Sequence, residues 1–435
     1  MTTTLLDYLI KELLNWTKES VKIGDIKNEI KNNEELLVTS LKEANDNASG
    51  GKLKKELYDA LQWPLTLDEY VDYLYEFGRW IPKQSTDPAW ERADEDGSQE
   101  PYDRLCHFHW LIDQDVEVKG KKVHVQNDEW FAKWLVRFAD AWGSFLDTTE
   151  SFNRESLQSF INLSPRYNVK DSMIGTAPHW RPNEPSGWLT FNQFFARELN
   201  PGLRPINSPG DNQVVTSPAD CTWKATYDID ENSEVVVPDN RKIRLKKTHS
   251  TRNIKDLLKD SKYAEDFANG KFVHYFLSPY SYHRFHLPVT GEVLECRAVP
   301  GLAYLEVHIG GDKQFDAPDS AKGGYQFQQS RGVVVVDTSK AGGSSTNIGK
   351  VAIIPVGMCQ IGSVNLTINP KITPGKVYNK GDEFGYFLFG GSDIILLFQN
   401  EKVNKVLEKP EKGLEPKDPK YFYYGMKCVE AKNKN

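Results

Sequence analysis

Nine histidines and five cysteines are few for 435 residues, and neither set is spaced to hold a metal. The cysteines at 106, 221, 296, 359 and 428 form no CxxC pair. An odd, scattered set excludes a disulfide or zinc framework and points to reduced thiols in a reducing compartment. Long apolar runs are also missing. The longest, residues 394–398, is strand-sized, far short of the roughly 18 residues a membrane span needs. The N-terminus has no basic region followed by a small-residue cleavage site, so no signal peptide is expected. A basic excess is absent as well: 54 Lys plus Arg stand against 61 Asp plus Glu, a formal charge of −7. Such a chain has no overall field to draw nucleic acid or anionic lipid. These absences predict an intracellular protein without a transmembrane segment, cytoplasmic or peripheral on a membrane, with no nucleic-acid partner.

What is present is a large apolar inventory, 39% of the chain with 12% aromatic, enough for a core and, at this length, for two domains. Residues 1–150 read as helical. Leu5, Leu6, Leu9, Leu13 and Leu14 recur at helical spacing, and 25–44 is charge-rich with Leu36, Leu37 and Leu41 on one side. Residues 45–51 look like a polar breaker. Thr66 and Glu69 have capping-box spacing before a helix over 67–80, which Pro82 should end. Residues 83–104 read as a loop. Trp130, Phe131, Trp134, Leu135, Phe138, Trp142, Phe145 and Leu146 make the strongest amphipathic helix, a stripe that serves packing far more often than cofactor binding.

Beyond about residue 205 the apolar period moves from 3.6 toward 2. Strands are predicted over 213–216, 271–277, 291–296, 305–309, 332–337, 351–356, 363–368, 384–389 and 394–399, with one helix over 254–267. Helices followed by many short strands predict an α+β fold with an antiparallel barrel or sandwich.

Three segments carry candidate chemistry. The run Ser281-Tyr282-His283-Arg284-Phe285-His286 holds two of the nine histidines. No cysteine or carboxylate flanks them at ligand spacing, so no metal is expected. Two imidazoles beside Arg284 suit acid–base work and binding of a carboxylate or phosphate, and equally suit plain surface or core positions. The second segment, Phe389-Gly390-Gly391-Ser392-Asp393, sets a hydroxyl behind two glycines between apolar strands. A hairpin explains it simply. A serine there can also attack the preceding carbonyl, because glycine tolerates the backbone strain of an N-to-O acyl shift. Gly342-Gly343-Ser344-Ser345 is the useful control: it lies in a polar stretch and reads as a loop. The third is Ser217-Pro218-Ala219-Asp220, where Asp220 alone would be a turn former.

Taken in order, these segments resemble the phosphatidylserine decarboxylase family of pyruvoyl-dependent decarboxylases. Residues 188–206 (WLTFNQFFARELNPGLRPI) are similar to the family's entry segment. The SPAD, YHRFH, VGMCQIGSVN (356–365) and GDEFGYFLFGGS (381–392) blocks follow in register. The resemblance divides the chain into a helical domain over 1–150, a linker over 151–187, a catalytic domain over 188–400 and a charged tail over 401–435. It implies self-cleavage between Gly391 and Ser392 by Asp220, His286 and Ser392, leaving a pyruvoyl group, with no metal and no PLP. That group would bind the substrate amine as a Schiff base. His283 would contact the substrate carboxylate or manage protons at Cα, with Arg284 beside it. A homodimer is expected.

The resemblance favours phosphatidylserine as substrate, giving phosphatidylethanolamine and CO₂ in phospholipid biosynthesis. A free, tryptophan-like amino acid is the alternative, because residues 138–146 (FADAWGSFL) look like the helical extension of the soluble amino-acid branch. Two residues depart from the family pattern: Cys221 follows Asp220 where glycine is usual, and Asp393 follows Ser392 where Thr or Ser is usual. If either disables cleavage, the chain would be an unprocessed binding or scaffold protein.

Overall fold

A computed structural model of the chain describes residues 3–21, 32–92, 97–175, 181–182, 187–237, 253–317, 325–341, 346–357, 364–366, 371–390, 392–411 and 419–432. They form two compact units. One comprises Met1–Val169, Trp188–Phe194 and Leu302–Pro318; the other comprises Lys170–Gly187, Phe195–Gly301 and Asp319–Asn435.

The first unit is mainly helical. Helices Thr3–Thr17, Asn33–Ala48, Leu67–Phe77, Glu100–Trp110 and Glu129–Leu146 bury Leu6, Leu9, Leu13, Leu36, Leu37, Leu41 and the aromatic stripe from Phe131 to Leu146, while Leu5 is exposed and Leu14 and Trp130 are half-buried. Phe131, Trp134 and Phe138 are fully enclosed, and the Trp134 indole donates to Leu9 O at 2.9 Å. The capping box of Thr66 and Glu69 forms as expected. Several boundaries differ from expectation. Helix Asn33–Ala48 runs through residues 45–48 and ends at Ser49. Helix Leu67–Phe77 stops at Gly78, before Pro82 is reached. The expected loop over 83–104 gives way to a helix at Glu100, with Pro101 in its first turn, where a missing N–H leaves no bond unmade. Within 305–309 only His308–Ile309 is extended, paired with Phe315–Asp316 in this unit. Residues 22–31 lie outside the described residues.

The second unit is built on one large antiparallel sheet. Its strand order is Val377–Tyr378, Gly291–Val299, Arg331–Asp337, Lys350–Gly357, Ser392–Phe398, Lys271–Leu277, Cys221–Ile229 and Tyr421–Phe422, with Val235–Val236 added to Cys221–Ile229. The α+β class therefore holds, but among the described residues this path stays open and no barrel closes. Both faces are covered, which explains the unbroken apolar run at 394–398. Ile394, Leu396 and Phe398 enter one core layer; Ile395 and Leu397 enter the other. Two three-stranded sheets contribute to the first layer: Val364–Asn365 with Glu383–Phe387 and Arg284–His286, and Val403–Val406 with Lys427–Ala431 and Val214–Thr216. The predicted helix over 254–267 splits into Ile254–Leu258 and a 3₁₀ turn at Ala264–Phe267, with Asp260 at φ 60 between them. Residues 342–345, the control Gly-Gly-Ser-Ser segment, lie outside the described residues, as does Gly391.

Candidate active site

Ser392 opens the strand Ser392–Phe398, one of the central strands of the large sheet, between Gly357 and Leu277. It is fully buried, and its hydroxyl meets no hydrogen-bond partner among the described residues. Such an orphan is uncommon, because a buried hydroxyl ordinarily finds an acceptor. Gly390 before it has φ 151, a conformation that side-chain-bearing residues rarely adopt.

His286 sits on strand Arg284–His286, and its amide donates to Pro218 O at 2.7 Å, tying it to the SPAD turn. Its Nδ1 lies 2.9 Å from Gly381 O. A carbonyl only accepts, so Nδ1 carries the proton and Nε2 holds the lone pair. That lone pair accepts from the Tyr282 hydroxyl at 3.1 Å. The Tyr424 ring stacks on the imidazole at 3.8 Å and 4°. Burial lowers the His286 pKa to about 4, so the ring is neutral near pH 7. Gly381 is obligatory here: φ is 92, and a Cβ would stand 2.7 Å from Ile206 Cδ1.

Asp220 is also buried, but its partners are Arg204 and the Tyr424 backbone. Arg204 Nη2 donates to Oδ2 at 2.7 Å, its Nε reaches both oxygens at 3.2 Å, and Tyr424 N donates to Oδ1 at 2.9 Å. Burial raises the Asp220 pKa, while Arg204 and the Tyr424 amide oppose that rise. The Arg204 guanidinium lies 3.7 Å over the Tyr423 ring. Asp220 thus reaches His286 through Tyr424, whose amide it holds and whose ring covers the imidazole. Cys221, the first family departure, is a fully buried thiol 3.2 Å from Ser217 Oγ and 3.3 Å from Ala219 O. Burial pushes its pKa well up, so it stays protonated and packs as a small apolar side chain.

His283 is fully buried and stacks on Phe195 at 3.9 Å, and Phe195 meets Phe389 edge-on at 5.1 Å. Neither ring nitrogen makes a well-formed hydrogen bond among the described residues. Burial, then the charge of Arg197, holds its pKa well below the usual range. Arg284 is spent within the chain: Nε donates to Ala196 O at 2.7 Å and Nη1 to Glu383 at 2.7 Å, with Glu198 at 3.5 Å.

The structure therefore joins Asp220 to His286 indirectly, and leaves the Ser392 hydroxyl without a bond to either. Sequence reasoning missed Tyr282, Gly381, Arg204 and Tyr424. Tyr282 lies inside the quoted histidine block, and Tyr424 lies in the aromatic run 421–424, whose density was the available signal.

The model for phosphatidylserine decarboxylase matches residues 191–421. A rice relative, phosphatidylserine decarboxylase proenzyme 2, is 31% identical over 214 residues, covering 49% of this chain and 30% of that protein. The Fusobacterium nucleatum phosphatidylserine decarboxylase proenzyme is 28% identical over 301 residues, 68% of this chain and 84% of its own length. Decarboxylase iboD of Amanita muscaria is 27% identical over 282 residues, 60% of this chain and 74% of its own. With a family match spanning more than half its length and the SPAD, YHRFH and GGS segments gathered in one β unit, the chain belongs to the phosphatidylserine decarboxylase family of carboxy-lyases.

Proposed function

We propose that this chain is a self-processing decarboxylase that converts phosphatidylserine to phosphatidylethanolamine and CO₂ by means of a pyruvoyl group made from Ser392. The observation that carries the reading is the buried, unpartnered Ser392 hydroxyl behind Gly390 at φ 151. Ser392 Oγ attacks the Gly391 carbonyl, the C–N bond breaks and an ester forms. Elimination then releases the Gly391 carboxylate and leaves dehydroalanine at 392, and water replaces its nitrogen, released as ammonia, to give the new N-terminal carbonyl. His286, neutral with its lone pair on Nε2, is the base for the hydroxyl proton. Asp220 positions it through Tyr424. When present, a pyruvoyl group supplies an electrophilic carbonyl and an electron sink for loss of CO₂ from an amino acid headgroup. His283, whose ring nitrogens make no well-formed hydrogen bond among the described residues, is the group for the substrate carboxylate or the proton at Cα. A lipid substrate carries with it peripheral contact with a membrane, and the family resemblance carries a homo-oligomer. No described helix is long and apolar enough to cross a membrane.

Intact mass of the purified protein tests the reading. The expected result is two chains, of 391 and 435 − 391 = 44 residues, the shorter with a blocked N-terminus, and one full-length chain for Ser392→Ala. CO₂ should then be released from phosphatidylserine in detergent micelles and not from free L-tryptophan. A single full-length mass in the wild type would sink the mechanism, and turnover of tryptophan alone would move the substrate to the free amino acid.

A further inference from the structure

Asp393, the second departure from the family pattern, does not share a face with Ser392. The pairing of Ser392–Phe398 with both neighbouring strands is unbroken, so its side chains alternate strictly. Ile394, Leu396 and Phe398 lie in one layer, placing Ser392 there; Ile395 and Leu397 lie in the other, placing Asp393 there. On the adjacent strand Val273, Tyr275 and Leu277 belong to the first layer and Phe272 to the second, so His274 faces the second. The two side chains meet: His274 Nε2 lies 3.2 Å from Asp393 Oδ1, and both residues are fully buried. The contact is close without being a well-aligned hydrogen bond, and neither side chain bonds to any other described residue. Around them the layer is apolar, with Phe272, Ile354, Val356 and Ile395. Among the described residues each group is thus the other's only compensation for burial, and neither can leave without stranding its partner.

This matters because of where the chain would be cut. Cleavage before Ser392 turns the first residue of a central strand into a chain end, and chain ends fray. The first side chain able to hold that end is residue 393. We propose that His274 and Asp393 are a positioning pair that pins the new N-terminus of the 44-residue chain in register, while turning the Asp393 carboxylate away from the Ser392 face. The proposal rests on the self-processing reading. A buried polar pair in an apolar layer fits this task, since a one-residue slip would carry Asp393 to the opposite face.

The test uses the full chain with His274→Leu alone and with His274→Leu/Asp393→Leu, in which the pair becomes apolar. Intact mass, turnover of phosphatidylserine in micelles, thermal unfolding and hydrogen exchange at amides 393–395 are read for each. Both variants should still be cleaved, since the Ser392 face is untouched. His274→Leu should lose at least tenfold in kcat at temperatures well below its unfolding, with KM within twofold and faster exchange at 393–395. The double variant should regain thermal stability but not kcat. Should His274→Leu fail to fold, the double variant decides alone. Wild-type kcat and exchange in His274→Leu, or full recovery of kcat together with stability in the double variant, would overturn the pinning role. An uncleaved wild type would overturn the processing reading itself, a result distinct from either.

Discussion

Residue by residue, the site is governed by who occupies each lone pair. Gly381 O fixes the His286 tautomer, and the Tyr282 hydroxyl donates to the nitrogen proposed as the base. A donor to that lone pair stabilises the neutral ring, adding to the effect of burial that brings the pKa to about 4. Tyr282→Phe removes this donor with almost no change of shape. Burial and the Arg284 charge stay in place, so the His286 pKa should rise only in part, and the ring should be lost as a base at a somewhat higher pH. The acid limb of the cleavage rate, followed by mass spectrometry from pH 4 to 8, should shift upward. An unmoved limb would mean that Tyr282 does not act on the base. Arg284 teaches the complementary lesson. Its position beside two histidines suggests an anion site, yet Ala196, Glu383 and Glu198 already engage its Nε and Nη1.

At the level of elements, the sequence made visible whatever is written in a regular period. The aromatic helix, the capping box and most strands of the large sheet follow from spacing alone. Cys221–Ile229 was legible and missed: its apolar residues alternate strictly with Thr222, Lys224, Thr226 and Asp228, the period of a half-buried strand, but it has none of the continuous apolar runs that mark the strands buried on both faces. Tyr421–Phe422 and Lys427–Ala431 escaped because strands this short, set in a charged segment, take their reason from distant partners. For the site, the histidine, Asp and Gly-Gly-Ser segments were legible. Their wiring was not, because contacts such as Tyr424 to Asp220 span 204 positions. Lys380 shows how much such long-range wiring holds. Its ammonium donates to the carbonyls of Ser208, Asp211 and Val214 at 2.7, 2.6 and 2.5 Å. It is the residue before Gly381, so it anchors the turn that orients His286. Lys380→Met removes the donor from three part-buried carbonyls, and each lost bond costs about 1 kcal/mol. Urea unfolding should show a loss of roughly 2–4 kcal/mol, and cleavage should slow as Gly381 loosens. A variant as stable as the wild type would show that this nest is dispensable.

For the molecule as a whole, the scarce histidines set the response to acid. His107 and His109 in the helical unit are lowered to about 3 and His286 in the β unit to about 4, each chiefly by burial; His283 is lowered as well. All four are neutral when folded at pH 7, whereas the unfolded chain titrates them near 6.5. As pH falls below about 6.5 the unfolded state binds protons that the folded state refuses, so stability declines until the folded pKa values are reached. Each such histidine contributes a slope of about 1.4 kcal/mol per pH unit once the unfolded imidazole is mostly charged. Asp128, Asp220 and Glu383 act with the opposite sign, because burial raises their pKa and folding then favours the protonated form. Their effect starts at unfolded values of 3.8 to 4.5 and extends upward to the raised folded values, so it offsets part of the histidine slope. The interval from pH 6.5 to 5 reads the histidines net of these three carboxyls. Unfolding by urea across it should show stability falling with each step down, more steeply than one imidazole allows. Replacing His109, which lies outside the proposed chemistry, with Gln should flatten the slope by about one proton's worth. A stability that stayed level between pH 6.5 and 5, with a slope unchanged by removing each histidine in turn, would mean that these rings are charged within the fold. His286 could not then be the resting base for Ser392.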